Sequence, residues 1–520
     1  MRLLLVAPTG QKDPFPIGLA YISASLKCAG HEVDCCYFDA IDSLRARLHK
    51  QYDFIGTGGM SQHFEQIGAV ARFAKESHIR LIMGGNIISS EPELMTRALN
   101  PDYAVIGEGD ECIVELLKCL QEDGDLLSVR GVAFLDGDKF VFTGERKPPK
   151  DLDSLSYPDY DSFGIKDRLD ATKPSDHHLY SIFDYPRNYH LVASRSCPYF
   201  CTFCYHTGPY RQRSMDSVMA ELQKVIPEYR INIVEIIDDL FSYNQQRALE
   251  FCMRVKKFKA TLPWEVKWFC QMRVDRLDGK LLDVMKESGL FAVSYGFESY
   301  SPSVLKSMKK NISPEQIHYA IHATLDRRIS LQGNFIFGDK AETFQTAKDT
   351  LDFWKDHVDA GIGLDFVHPF PGSAIYKDCL EKGLIKDRLE FAHTHLFDPV
   401  NMTSLSSFDF LKLQLTVQKY LKYSMYVLPL KNTLRSVTIE CPHCQSVITY
   451  NNFVLGSNFA FGHFRIKTVL CRNCFKKVAI ESKVKRTIMK YPLLGFLAMK
   501  LYRRIREHYH RFIGGDNGES

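Results

Sequence analysis

Eight residues carry the densest chemistry in the chain: Cys197-Pro198-Tyr199-Phe200-Cys201-Thr202-Phe203-Cys204. Three thiols at x3 and x2 spacing, with aromatics between them and Tyr205-His206 after them, can act together on one metal centre. Iron–sulfur clusters are held by cysteine thiolates, usually four. Three thiolates leave one iron of a four-iron cluster without a protein ligand. An open metal position is where a substrate or cofactor coordinates, the logic that separates catalytic from structural zinc sites. Two plainer readings stand beside this one: unconnected thiols in a loop, and a zinc knuckle. A second set has a different pattern, Cys441-Pro442-His443-Cys444 and then Cys471-Arg472-Asn473-Cys474. Two C-x2-C knuckles close a four-thiolate tetrahedral site, which is structural zinc geometry. Four thiolates can also hold an auxiliary cluster. The apolar segments 437–439, 447–450, 467–470 and 477–480 around the knuckles favour a zinc ribbon.

The elements that must position these thiols come from the rest of the chain. Its 520 residues suffice for two to four domains. At 45% hydrophobic, 25% charged and net charge +4, the composition argues neither for nor against a nucleic-acid partner, and none is expected. The first apolar run stops at Pro8 without a cleavage site, so it reads as a buried strand in a cytoplasmic protein. No apolar run reaches the ~18 residues of a membrane span. Over residues 1–125, strand and helix patterns alternate and the strands end in glycine loops: Gly58 with Ser61, Gly84-Gly85, and Gly107-Glu108-Gly109. That is an α/β, doubly wound, Rossmann-like pattern, whose ligands bind at the carboxyl ends of the strands. These glycines make tight turns at least, and three such loops in register point to a cofactor cleft. No G-x-G-x-x-G follows the first strand, which weakens a dinucleotide reading. Residues 126–187 read as a linker with a hairpin around Asp136-Gly137-Asp138. From 188 to 385, strand–loop–helix units recur with polar residues at the strand ends, as in a parallel barrel with its active groups on the C-terminal rim. A helical extension (386–435), the four-cysteine ribbon (436–482) and a basic amphipathic tail (483–520) complete the expected order.

The C-x3-C-x2-C stretch resembles the signature of the radical SAM superfamily. The resemblance implies a [4Fe-4S] cluster on Cys197, Cys201 and Cys204 whose fourth iron chelates S-adenosyl-L-methionine (SAM). Reductive cleavage of SAM then yields a 5′-deoxyadenosyl radical. Ahead of the core, Pro16-Ile17-Gly18-Leu19-Ala20-Tyr21-Ile22, Gly30-His31-Glu32-Val33, Met83-Gly84-Gly85-Asn86 and Val105-Ile106-Gly107-Glu108-Gly109-Asp110-Glu111 are similar to the cobalamin-binding domain of class B cobalamin-dependent radical SAM enzymes. The D-x-H-x-x-G cobalt-ligand motif of methionine-synthase-like domains is absent from this region, as it is from many members of the subgroup. The family implies a partial (β/α)6 TIM-like barrel. It also implies cofactor contacts at Phe203, Asp238, Asp239, Arg273, Glu298, Gly333 and Gly338. Plainer roles accompany these. Asp238-Asp239 can cap a helix, Arg273 can pair with Asp275 or Glu298, and Gly333 and Gly338 can be close-packing positions.

What the resemblance implies for function is methyl transfer to an unactivated carbon, with SAM serving both as methyl source for cobalamin and as radical source. Cyclisation or rearrangement of the anaerobic porphyrin-ester cyclase type is the alternative. A cobalamin- or redox-sensing regulator is the alternative from outside the enzymes. The implied partners are a small-molecule or lipid-linked substrate and an external electron donor of flavodoxin or ferredoxin type. Residues 483–511 carry nine Lys/Arg and one acid, Glu507. They fit peripheral contact with an anionic membrane, or a helix docked on its own protein.

Overall fold

The computed structural model describes residues 1–10, 13–394, 399–455, 467–480, 491, 497 and 501. After Arg2, β1 (Arg2–Ala7) is an unbroken apolar run, and Leu3 through Ala7 are fully buried. A strand buried on both faces needs parallel neighbours and covering helices. The sheet supplies them in the order β2 (Glu32–Tyr37), β1, β3 (Phe54–Gly58), β4 (Arg80–Gly84), β5 (Tyr103–Val105), all parallel. This is the doubly wound 2-1-3-4-5 order, whose ligand crevice lies at the carboxyl ends of the strands beside the β1/β3 switch point. The helix Phe64–Glu76 shows why the covering elements form. Ile67, Val70, Phe73 and Ala74 recur at helical spacing and are buried, while the opposite face is polar.

The sheet does not stop at residue 125. β6 (Val132–Asp136) and β7 (Lys139–Phe142) form the expected hairpin, but β6 also pairs antiparallel with β5 through Ala104 and Ala133. The segment read as a linker therefore begins with two strands of the first sheet. The reason is edge protection: β5 would otherwise expose a row of unpaired backbone groups, and a pairing partner leaves no local sequence signature. Beyond it, Tyr160 lies 4.6 Å from the ring of Phe15 and 4.6 Å from that of Tyr189, so the connector joins both domains in one hydrophobic core.

The second sheet is the expected partial barrel. β8 (Asn188–Leu191), β11 (Ile233–Ile236), β12 (Lys267–Met272), β13 (Leu290–Glu298), β14 (Ser330–Phe337) and β15 (Gly363–Phe366) are parallel neighbours in sequence order. Two short antiparallel strands, β9 (Ser194–Arg195) and β10 (Arg211–Gln212), clasp the two ends of the cysteine loop.

The helical extension ends earlier than expected. Helices Arg388–Thr394 and Ser407–Tyr420 are present, the latter buried through Phe410, Leu413 and Val417. However, β16 (Tyr426–Val427) and β17 (Lys431–Asn432) already belong to the ribbon, where β16 pairs with β21 (Lys477–Ile480) and β17 with β18 (Ser436–Glu440). Two-residue strands carry no periodicity to read. β19 (Val447–Asn451) and β20 (Lys467–Leu470) complete the ribbon. It docks on the amino-terminal ends of the barrel strands: Leu470 packs with Ile233, Phe291 and Ala292, and Lys477 Nζ donates to Gly361 O over 3.1 Å. Among the described residues no helix is long and apolar enough to cross a membrane. Apart from Tyr491, Leu497 and Leu501, the expected basic tail lies outside the described residues.

Candidate active site

The cysteine loop is fixed from two sides of the rim. Thr202 N donates to Met308 O over 3.0 Å, and Ile375 N donates to Thr202 O over 3.0 Å. The turn after β15 also abuts it, since a Cβ on Gly372 would meet the Tyr205 ring at 2.5 Å. Cys201 is buried, Cys197 half-buried and Cys204 exposed. A hydrogen bond from Cys204 lowers the Cys201 pKa to about 6, with the cations of Lys310 and Arg273 acting in the same direction. Such electropositive surroundings favour the thiolate, the form that binds metal. The two groups of described residues whose ligand atoms all fall within 4.8 Å of one another are the ribbon cysteines and a histidine trio; the loop thiols form neither. A single tetrahedral ion needs its sulfurs about 2.3 Å from one centre, so the spread of the loop thiols disfavours the zinc knuckle. The donor set and its charge fit the larger cluster.

Four sequence-predicted rim residues come together here, around one that was not predicted. Lys310 Nζ donates to Glu298 Oε1 over 2.7 Å, and lies 5.7 Å from the Phe203 ring. Burial works against its charge, but Glu298 and Cys201 hold its pKa above the ordinary value. Arg273 donates to Lys310 O over 2.6 Å and sits 3.7 Å over the Tyr199 ring. Glu298 reaches this position because β13 bulges between Gly296 and Glu298, giving Glu298 a φ of +64°. A non-glycine residue in the left-handed region costs free energy and persists where the surroundings enforce it, often at functional sites. Gly296 makes the room, since a Cβ there would meet Glu298 Oε1 and Lys310 Nζ, both at 2.4 Å. Lys310 follows a short helix in a loop with no motif, so periodicity could not have flagged it.

Other predicted contacts take their plainer role or a new one. Arg273 Nε donates to Asp275 Oδ1 over 2.9 Å, so of the two partners read from the sequence the structure supplies Asp275. Asp238 neither caps a helix nor opens to a cofactor. Its carboxylate accepts from Ala193 N and Ser194 Oγ, both at 2.7 Å, and so buttresses the turn into the cysteine loop. Burial raises its pKa to about 6 against those hydrogen bonds. Asp239 is the exposed member, 3.8 Å from His206 Nδ1. Gly333 is a close-packing glycine, for a Cβ there would run into the Phe297 ring at 2.5 Å. Gly338 is likewise enclosed, by Phe366 and Phe410.

The glycine loops of the first domain open onto the same region. A cleft of about 350 Å³ is lined by Gly85, Ser89 and Gly107 on one side and by Ser196, His206 and Asp239 on the other. Gly58 and Gly85 are required by loop-to-loop contact: a Cβ on either would meet backbone of Gly84 or Gly59 within 2.9 Å. Gly84 sits between these loops, Gly109 packs on Ile22, and Gly107 faces open space. Glu108 also lines the cleft, with its carboxylate already engaged in ion pairs. It pairs with Arg195, at 2.8 Å, and with Arg211, while Arg195 also pairs with Asp110 at 2.7 Å. This half-buried charge cluster clamps the two domains on either side of the cleft. Ser61 Oγ is buried without a hydrogen-bond partner, as are the hydroxyls of Thr9 and Ser90. Orphaned hydroxyls in the segments that follow β1, β3 and β4 suit a polar cofactor seated there, since buried polar groups are normally paired.

The ribbon cysteines form the closed site expected. Cys441 Sγ lies 3.8 Å from Cys474 Sγ and Cys444 Sγ 3.6 Å from Cys471 Sγ, separations that suit four thiolates on one tetrahedral ion.

Comparisons with known proteins agree with this division. Residues 4–117 match the B12 binding domain family and residues 191–353 the radical SAM superfamily. An uncharacterised methyltransferase of Pyrococcus horikoshii is 27% identical, over 74% of this chain and 84% of its own length. The anaerobic magnesium-protoporphyrin IX monomethyl ester cyclase of Cereibacter sphaeroides is 26% identical, over 64% of this chain and 55% of its own length. The radical S-adenosylmethionine methyltransferase TsrM of Kitasatospora setae, solved with cobalamin and a [4Fe-4S] cluster bound, superposes with a TM-score of 0.62. It does so at 15% identity, over 74% of this chain and 78% of that one, a likeness of fold.

Proposed function

We propose that this chain, which carries a B12-binding domain ahead of a radical SAM domain, is a class B cobalamin-dependent radical SAM enzyme that methylates an unactivated carbon. The observation that carries the reading is the shared cleft, onto which the glycine loops of the first domain and the residues flanking the cysteine loop both open. Bound there, the cluster, SAM and cobalamin would supply one-electron cleavage, hydrogen abstraction and a methyl carrier. Cys197, Cys201 and Cys204 would hold the cluster. Glu298 offers a carboxylate to the ammonium or hydroxyl groups of SAM, with Lys310 holding it oriented. Phe203 and Tyr199 shield the loop, and Tyr205, whose hydroxyl donates to Ser89 O over 2.9 Å, ties it to the cobalamin side of the cleft. His206 and Asp239 give the cleft an imidazole and a carboxylate 3.8 Å apart.

The substrate is proposed to be a small or lipid-linked molecule, and electrons would come from a flavodoxin- or ferredoxin-type donor. A reducing cytoplasm keeps the thiols competent as ligands. The basic tail would add peripheral contact with an anionic membrane. The cyclase of Cereibacter sphaeroides supports a second reading, ring formation without methyl transfer. The experiment is anaerobic reconstitution with iron, sulfide and hydroxocobalamin, followed by SAM, reductant and candidate substrates. About four irons, retained cobalt and a product heavier by one CH2 are expected. A product with no such gain selects cyclisation, and failure to retain cobalt removes methyl transfer through cobalamin.

A further inference from the structure

The outside of the barrel carries a cluster of imidazoles that the proposed reaction does not use. His318 and His322 lie one turn apart on the helix Pro314–Asp326, so both project from the same face. His357 ends the neighbouring helix Phe344–Asp356 and completes the group. The ring centroids are 4.3 Å apart for His318–His322, 5.6 Å for His318–His357 and 5.6 Å for His322–His357. One nitrogen from each ring lies within 4.8 Å of the other two.

Two details go beyond proximity. Nε2 of His318 and Nε2 of His322 face each other at 3.1 Å. Two imidazole nitrogens bound about 2.0–2.1 Å from one ion stand roughly 2.9–3.4 Å apart, so the pair is already at chelating separation. His357 turns its Nδ1 to Phe353 O at 2.8 Å, which leaves Nε2 for a ligand. A backbone carbonyl on the second ring nitrogen is the usual outer-shell partner of a metal-bound histidine, fixing its tautomer and its orientation. The ring is also held flat against Phe353, 4.1 Å away at 27°, and Phe353 stacks on Tyr300 at 3.7 Å. His318 and His322 are exposed, so an ion can reach them from solvent.

We propose that His318, His322 and His357 bind a divalent transition-metal ion of the zinc, nickel or copper class, bridging two neighbouring helices of the barrel wall. Three imidazoles with no thiolate select these ions over magnesium or calcium, which prefer oxygen ligands. Three protein ligands leave a further position to water or to an exogenous group, as in open zinc sites. This site is separate from the ribbon cysteines, so zinc at both is countable.

The test is equilibrium dialysis of the reconstituted full chain, its ribbon zinc in place, against Zn2+, with metal content and thermal melting read on the same samples. The wild type takes up one more zinc per chain than His322→Ala or His357→Ala. Its affinity for that second ion exceeds theirs by more than the ~100-fold that even an outer-shell loss can cost. Added Zn2+ raises the wild-type Tm and leaves both variants unmoved, as linkage requires of an ion that binds only the folded chain. Mg2+ shifts none of them. Equal uptake by wild type and variants overturns the site, as does a wild type that holds no zinc beyond the ribbon's. The variants' melting without added metal reports that they are folded.

Discussion

The two cysteine sets use the same side chain for opposite ends. At the rim, three thiols lie on a loop between two short strands, with Cys204 exposed, and around them stand Lys310, Arg273 and Glu298. At the base, four thiols close on one another within 4.8 Å, at the tips of a ribbon whose Val437, Ile439, Val469 and Val478 form its own small core. A three-thiolate set leaves metal valence for a ligand from outside, and a four-thiolate set leaves none. Charge follows the same division. The rim invests buried ions in orienting groups toward an open space. The base uses Arg472 on Asp184 and Lys476 on Asp359 to fasten the ribbon to the barrel. On the proposed ligand roles, chemistry sits where the coordination would be incomplete, and stability where it would be complete.

The largest break in this comparison is removal of one thiol from each set. Cys201→Ala should abolish 5′-deoxyadenosine formation from SAM while leaving the melting temperature of the zinc-loaded apoprotein nearly unchanged. Retained deoxyadenosine formation would sink the cluster assignment. Cys471→Ala should do the reverse at the level of stability. It should lose the ribbon zinc and cost about 4 kcal/mol or more, the range of metal-site losses, yet keep the iron content of the rim. Zinc and iron analysis on the same two samples decides it.

Much of this contrast is legible in the amino-acid sequence, because it is written in local spacing. The x3–x2 and paired x2 intervals, the apolar run of β1 and the glycines ending β3, β4 and β5 are all short-range patterns. What escaped is non-local. Lys310 matters only because the β13 bulge turns Glu298 toward it. Glu108, in a glycine loop that points to a cofactor, is taken up by Arg195 and Arg211 from about a hundred residues away. Asp238 and Asp239, adjacent in sequence, divide into a buried buttress and an exposed cleft residue, because successive residues of an extended strand end face opposite ways.

Lys310→Met sharpens the comparison within the rim itself. It leaves the buried Glu298 carboxylate without its cation, and breaking such a pair costs about 3–5 kcal/mol. Iron content should persist, because all three thiols remain, while SAM cleavage falls because its carboxylate contact is no longer oriented. A variant that cleaves SAM at the wild-type rate would reduce the Lys310–Glu298 pair to a packing feature.

The smallest effect separates rim from base by pH. Glu342, which follows β14 at the rim, accepts from Gly338 N over 3.4 Å, and burial raises its pKa from 4.5 to about 7. A carboxyl whose folded pKa is raised contributes stability that is full below about pH 4.5 and is lost as pH rises through 7. Lys477, half-buried at the base, has its pKa lowered by desolvation from 10.5 to about 8. Its contribution runs the other way, present above pH 10.5 and lost as pH falls through 8. Glu342→Gln keeps an acceptor for Gly338 N, and its amide can donate to Thr346 Oγ1, which itself donates to Thr343 O over 3.1 Å. Its Tm advantage over the wild type should therefore grow as pH rises from 4.5 to 8, with a slope equivalent to at most about 1.4 kcal/mol per pH unit. Lys477→Met should show its advantage at pH 7 and lose it by pH 10.5. If the Tm difference of Glu342→Gln stays flat across its window, the carboxyl is ionised at little cost and the rim is wetter than its burial implies.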